Sequence, residues 1–196
     1  MNRYTFLLLM VLISLGVSSS AQEFIQIGNT IYGAEGDSLG CSVSISADGN
    51  IVAIGATAND DNGYGSGQVR IYQNVNNEWQ QIGQDIAGEA GGDYSGSSVS
   101  LCADGNIVAI GAPYNGGNGS QSGQVRLFQN VNNDWQQIGQ DIDGEASVDR
   151  SGSSVSLSAE GTIVAIGAPL NNANGSQSGQ VRIFQNVNTD WQQIGQ

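Results

Sequence analysis

Carboxylates are the only acid–base groups present in quantity, and the densest cluster is "DIDGEASVD", which holds Asp141, Asp143, Glu145 and Asp149. Oxygen donors at such mixed spacings could wrap a hard cation such as Ca2+, which takes roughly six to eight oxygens. The bland alternative is a solvated connecting turn, and we favour it. Counterparts recur as Asp85, Glu89 and Asp93 and as Glu35 and Asp37, but recurrence reflects duplication as easily as use. The loop "TANDDNGYGSG" adds Asp60 and Asp61, whereas its counterparts "PYNGGNGSQSG" and "PLNNANGSQSG" carry no acid, so a repeated metal site cannot sit there. These Gly-rich loops also lack the following Lys and helix that a phosphate cradle needs. Their aromatics, Tyr64 and Tyr114, are the candidates for contact with an extracellular protein or glycan.

Catalysis has little to stand on. There is no His and no Lys, and no irregular cluster breaks the repetition described below. A carboxylate pair alone could serve a glycosidase, but the expectation is a protein that is not an enzyme. No cofactor is expected, with Ca2+ the one weakly supported ion. The formal charge is −13; without Arg3 the 18 Asp and Glu face four Arg, giving −14. So acidic a surface repels phosphate backbones, which excludes nucleic acid and disfavours anionic membranes. Arg70, Arg126 and Arg182 share one register, and any burial demands partners for them. A carboxylate from a hairpin or connecting turn is the simplest answer.

The elements that must position these residues begin after a leader. Arg3, an apolar run from Phe6 to Val17 and the small residues Ser19, Ser20 and Ala21 read as a secretory signal peptide over residues 1–21. The apolar run is short of the roughly 20 residues a membrane span requires, so no membrane insertion is expected after cleavage.

From there the chain repeats. "GQVRIYQN", "GQVRLFQN" and "GQVRIFQN" begin at Gly67, Gly123 and Gly179, a period of 56 residues that Trp79, Trp135 and Trp191 also keep. Repetition takes precedence over local motifs. Within residues 22–196 the units run 24–78, 79–134 and 135–190, and "WQQIGQ" at 191–196 opens a fourth. Each unit offers "WQQIG", an alternating "SSVSLSA", a "DG" or "EG" hairpin signal, a continuous apolar "IVAIGA" and an alternating "QVRIFQN". No helical period is present. Four short antiparallel strands per unit predict an all-β protein of propeller-type blades, about three of them, hence a partial propeller. Trp79, Trp135 and Trp191 are expected to pack blade against blade. Open blade faces would call for further blades or another subunit. The two thiols, Cys41 and Cys102, align five positions apart in one strand region; if that strand is uninterrupted they face opposite ways, so both are expected to be free.

The arrangement "SGSSVSLSADG", "VAIGAP", "GQVRIF", assembled from units two and three, resembles the FG-GAP repeat of integrin alpha-chain propellers, and that of secreted Bacteroidetes surface proteins. The "IGAP" match lies at Ile110–Pro113 and Ile166–Pro169, with "IGAT" at Ile54–Thr57. The resemblance implies a propeller used for cell adhesion or ligand binding, secreted or at the cell surface. It also implies calcium in an Asp-rich loop before the "GAP" strand. Here that loop is "ADGN", "ADGN" or "AEGT", at Ala47–Asn50, Ala103–Asn106 and Ala159–Thr162, and one carboxylate cannot supply a calcium shell. The function expected is a noncatalytic module for adhesion or protein and glycan binding. The alternative is a purely architectural array, or a truncated piece of a larger surface protein without a binding site of its own.

Overall fold

The computed structural model describes residues 25–195, and the signal-peptide reading of residues 1–21 lies outside them. The described residues form three antiparallel sheets and no helix. The first holds β1 (Leu39–Ile45), β2 (Ile51–Ala56), β3 (Gln68–Val75) and β4 (Glu78–Gln81) in that order, with β5 (Ile86–Ala87) extending the β4 edge along β3. The second repeats it with β6 (Ser98–Leu101), β7 (Ile107–Ala112), β8 (Gln124–Val131), β9 (Asp134–Gln137) and β10 (Ile142–Asp143). The third contains β11 (Ser154–Leu157), β12 (Ile163–Ala168), β13 (Gln180–Val187) and β14 (Asp190–Ile194). These are the expected four-stranded blades, and the three sheets do not close into a ring.

The phase of the repeat differs from the reading that placed each Trp at the head of a unit. β3 turns directly into β4 through Asn76 and Asn77, both left-handed (φ 54° and 64°), and Asn132–Asn133 and Asn188–Thr189 do the same. Two consecutive left-handed residues make the tight hairpin turn that matches strand twist, and Asn tolerates the conformation better than most residues. The Trp strand therefore closes the blade before it: Asn74 pairs with Trp79, Asn130 with Trp135 and Asn186 with Trp191. Residues 191–194 accordingly complete the third sheet and do not open a fourth.

Strand pairing gives each sheet two chemically distinct faces. In the first blade Val43, Ile45, Val52, Ile54, Arg70 and Tyr72 share one face, while Ser42, Ser44, Ala53, Gly55, Val69 and Ile71 share the other. The second face of each blade packs on the first face of the next. Ala53, Val69, Ile71 and Ile86 bury against Val99, Leu101, Val108, Ile110, Phe128 and Trp135. One period on, Ala109, Val125, Leu127 and Ile142 bury against Val164, Ile166, Phe184 and Trp191. Full burial of an aliphatic side chain is worth about 1.5–3 kcal/mol, so these layers hold the array together. The small residues of "IVAIGA" permit the approach: a Cβ on Gly55 would collide with the carbonyl of Gly96, and one on Gly111 with that of Gly152. Ser42 Oγ and Ser98 Oγ donate to those same carbonyls at 2.6 and 2.8 Å.

Trp135 and Trp191 pack between blades as expected, whereas Trp79 has no blade over it among the described residues and bonds to Ile27 O and Asn29 Oδ1. The indole Nε1 of Trp135 donates to Ile82 O, and that of Trp191 to Ile138 O, each at 3.0 Å across the seam. Both cysteines are free, Cys41 exposed and Cys102 buried. The parity argument behind that expectation is only half right. A register shift between Leu39 and Ser42 interrupts β1, and Cys41 Sγ turns to Gly96 O beside Ser42.

Candidate functional site

The β2–β3, β7–β8 and β12–β13 loops, the first two of which carry the candidate aromatics Tyr64 and Tyr114, are built on a repeated polar staple. Asn59 Nδ2 donates to Asp37 Oδ1 at 3.3 Å, Asn115 Nδ2 to Asp93 Oδ2 at 3.0 Å and Asn171 Nδ2 to Asp149 Oδ2 at 2.8 Å. All six residues are buried, which raises the cost of leaving either partner unpaired. The Asp also accepts from the backbone three residues earlier, Ala90 N to Asp93 and Ala146 N to Asp149, each at 3.1 Å. Next to it the chain enters the left-handed region at Ser38 (φ 55°), Tyr94 (φ 51°) and Arg150 (φ 54°). The connecting segment then runs alongside the preceding blade's loop: Tyr94 N donates to Gly65 O and Ser95 N to Ser66 O, followed one period later by Arg150 N to Gln121 O and Ser151 N to Ser122 O.

Those left-handed positions hold Ser, Tyr and Arg in one register while the Asp before them stays constant. Two of the departures meet. The Tyr94 and Tyr114 rings pack edge to face with centroids 5.2 Å apart, and the Arg150 guanidinium lies 4.6 Å from the centre of the Tyr114 ring. Tyr94 also lies against Gly65, so the cluster extends to the loop bearing Tyr64, which is 81% exposed. Tyr114, Tyr94 and Arg150 are half-buried. Arg150 reaches Gln121 Oε1 at 3.5 Å, its Nε is buried without a hydrogen-bond partner, and among the described residues it forms no salt bridge. Of the residues singled out by sequence, Tyr64 and Tyr114 thus lie on adjoining loops without stacking on each other. Tyr94 and Arg150 complete the patch; their signal was a changed residue at a fixed repeat position.

The other arginines are committed, and less to carboxylates than expected. Arg70 takes Asp85 at 3.0 Å and Asp37 at 3.5 Å. Arg126 and Arg182 instead donate to carbonyls of the preceding blade, Ala87 O at 2.8 Å and Asp143 O at 2.6 Å, and lie over Phe128 and Phe184. Arg126 has Glu89 only at 3.7 Å.

The acidic candidates are drawn apart. Asp141 accepts from Gln137, Glu145 accepts from Gln180, and Asp149 belongs to the buried staple. Asp143 is half-buried with its Oδ1 unpartnered; burial first, and then neighbouring Asp141, push its carboxyl above the ordinary Asp range. Among the described residues no three acidic, His or Cys side chains gather as a metal site. The position implied by the integrin resemblance fits no better. Asp48 accepts from Ser46 Oγ, Asn50 N and Asn50 Nδ2, which hold its carboxyl at about 2. Asp104 is used the same way by the Cys102 thiol and by Asn106, and is likewise lowered. These carboxylates close their own hairpins, leaving no shell for calcium.

Comparison with known proteins agrees with this architecture. The FG-GAP repeat matches residues 33–72 and 87–128. No curated protein matches the sequence. Among solved structures, Kuenenia stuttgartiensis hydrazine synthase is similar at 10% identity and TM-score 0.52, over 87% of this chain and 38% of that one. A Bacteroides uniformis protein assigned as a 6-phosphogluconolactonase is similar at 15% identity and TM-score 0.53, over 80% of this chain and 40% of its own. The chain thus spans about two fifths of each, and the likeness is one of propeller-like fold alone. Blades, register and repeat match thus agree, and the chain carries FG-GAP repeats at residues 33–72 and 87–128.

Proposed function

We propose that this chain is a secreted or cell-surface, noncatalytic propeller module that mediates adhesion by binding protein or glycan at its loop edge. Tyr94, Tyr114 and Arg150 form the contact patch, and Tyr64 flanks it. The observation that carries the reading is convergence: residues that depart from the repeat come from separate segments and meet on one edge, next to a guanidinium without a carboxylate partner. Aromatic faces take the flat apolar side of a sugar ring or an aromatic side chain, while Arg150 offers donors to ligand oxygens. FG-GAP repeats are typically extracellular, which suits such a ligand, and among the described residues no helix is long and apolar enough to cross a membrane. A purely architectural array is the second reading, favoured by the near-identical staples beneath the loops.

Glycan and protein arrays probed with residues 22–196, with and without Ca2+, separate the two. Saturable binding that Tyr114→Ala and Arg150→Ala each weaken at least tenfold, and that chelation leaves intact, is the expected result. Silence across the arrays, or binding indifferent to both substitutions, would sink the binding reading in favour of the architectural one.

A further inference from the structure

The loop edge departs from the repeat at a further position. Just before each staple Asp stands a residue in the left-handed region: Gly36 (φ 92°), Gly92 (φ 88°) and Val148 (φ 71°). Glycine takes that conformation freely, whereas a β-branched residue takes it at a steric cost. Val148 gains little burial in exchange, being 47% exposed. Its pairing explains the placement. Gly92 N donates to Tyr64 O at 2.8 Å, and one period on Val148 N donates to Ser120 O at 2.9 Å. Where the loop bears the large, exposed Tyr64 its partner is Gly92; where the loop bears Ser120 its partner is Val148. Each seam therefore holds out one apolar side chain at this pairing, supplied by opposite members of it. The row of Tyr94, Tyr114 and Arg150 links the two pairings: Tyr94 N donates to Gly65 O, next to Tyr64, and Arg150 follows Val148 by two residues.

We infer that this strip docks a protein segment whose Asp or Glu side chain meets Arg150 while apolar side chains to either side of it cover Val148 and Tyr64. The inference rests on the binding reading above and names the partner class. Charge complementarity selects the carboxylate. Of the four arginines among the described residues, Arg70 is held by Asp85, and Arg126 and Arg182 by backbone carbonyls of the preceding blade, whereas Arg150 has neither. Its guanidinium, held in advance against the Tyr114 ring, offers paired donors that match the two oxygens of a carboxylate. The apolar groups select protein over glycan. A sugar ring packs on the open face of an aromatic ring, but Tyr94 and Tyr114 are half-buried against each other and Arg150 lies over Tyr114. Val148 suits an aliphatic or aromatic side chain and offers nothing to hydroxyl groups. The guanidinium is bracketed by Val148 on its own segment and by the Tyr94 and Tyr64 pairing beyond Tyr114, so the ligand runs past Arg150 in both directions. A carboxylate inside a chain allows this, and a chain terminus does not.

An array of acetylated and amidated nonapeptides, probed with residues 22–196, tests the assignment. Each peptide carries a central Glu, Gln or Arg, flanked on both sides at varied spacing by Leu, Phe or Ser in a Gly-Ser background. Saturable binding is expected for central Glu with Leu or Phe on both sides, and Gln at the centre or Ser on either flank should weaken it at least fivefold. Val148→Gly should weaken binding at least fivefold while the melting temperature holds or rises, because Gly takes φ 71° without strain. Tyr64→Ser, the residue of the other two loops, should weaken it to a similar degree. Arg150→Glu should reverse the preference from central Glu to central Arg, which misfolding cannot do. A silent peptide array, equal binding of the Glu and Gln peptides, or binding untouched by Val148→Gly would overturn the inference. If peptides are silent while glycans still bind through Tyr114 and Arg150, the binding reading stands and this partner class falls; silence from both removes both.

Discussion

Val125 and Val181 are the same residue at the same repeat position and differ in what lies over them: Val125 is fully buried at the second seam, and Val181 is 68% exposed. Substituting each by Ala isolates the contribution of a seam. Removing two methyl-sized groups from full burial costs about 1.6 kcal/mol at ~0.8 kcal/mol per group, and an unrelaxed void adds about 1 kcal/mol, so Val125→Ala should lose about 2–3 kcal/mol. At Val181 only about a third of that transfer term applies and no void is left, so the loss should stay near 0.5 kcal/mol. Urea unfolding followed by tryptophan fluorescence measures the difference. Trp191 sits at the same seam as Val125 and should report it. Because blades couple to nearest neighbours, Val125→Ala should release the third blade before the other two and broaden the transition. Equal losses at the two positions would refute the claim that stability resides in the seams.

Two further outcomes follow from the polar framework. Asn115→Ala leaves the buried Asp93 carboxylate with fewer partners and should cost about 1–3 kcal/mol in thermal unfolding, while Asn118→Ala, in the same loop but exposed, should cost less. In an NMR pH titration Asp48 should protonate near 2, below its ordinary 3.8. Its folded value is depressed, so its contribution to the hairpin is complete above the unfolded value and disappears as pH falls through the folded one; a midpoint near 3.8 would show that Ser46 and Asn50 do not hold it.

Much of this architecture was legible because a strict period and strand alternation constrain a repeat strongly. "SSVSLSA" and "IVAIGA" became strands, Trp135 and Trp191 lie at the seams, and the "DG" hairpins closed on their own Asp. What a period cannot give is its origin. Translation by 56 residues is equally true of a unit that begins at Trp79 and one that ends just after it, and the deciding element was the Asn76–Asn77 turn, whose left-handed backbone couples β3 to β4. The acidic cluster misled for a related reason. Asp149 stands near Asp141, Asp143 and Glu145 in sequence, but its partner is Asn171, 22 residues on, in a loop whose composition gives no hint of burial. Both members recur at fixed positions, as Asp37 with Asn59 and Asp93 with Asn115, and that joint recurrence was the available signal. Arg126 and Arg182 chose backbone carbonyls, which every residue has and no side-chain pattern can point to.

The left-handed residue after each staple Asp separates shape from identity. Its backbone is pinned by the flanking Asp and, at Tyr94 and Arg150, by pairing with the neighbouring loop, at a cost of about 1–2 kcal/mol for a residue other than Gly, and that cost is nearly the same whether Ser38, Tyr94 or Arg150 occupies it. The fold therefore supplies a socket with an interchangeable plug. Lengthening such an array by duplication would add sockets at regular intervals along one rim, and point changes in them could rewrite what the rim recognises without touching a blade.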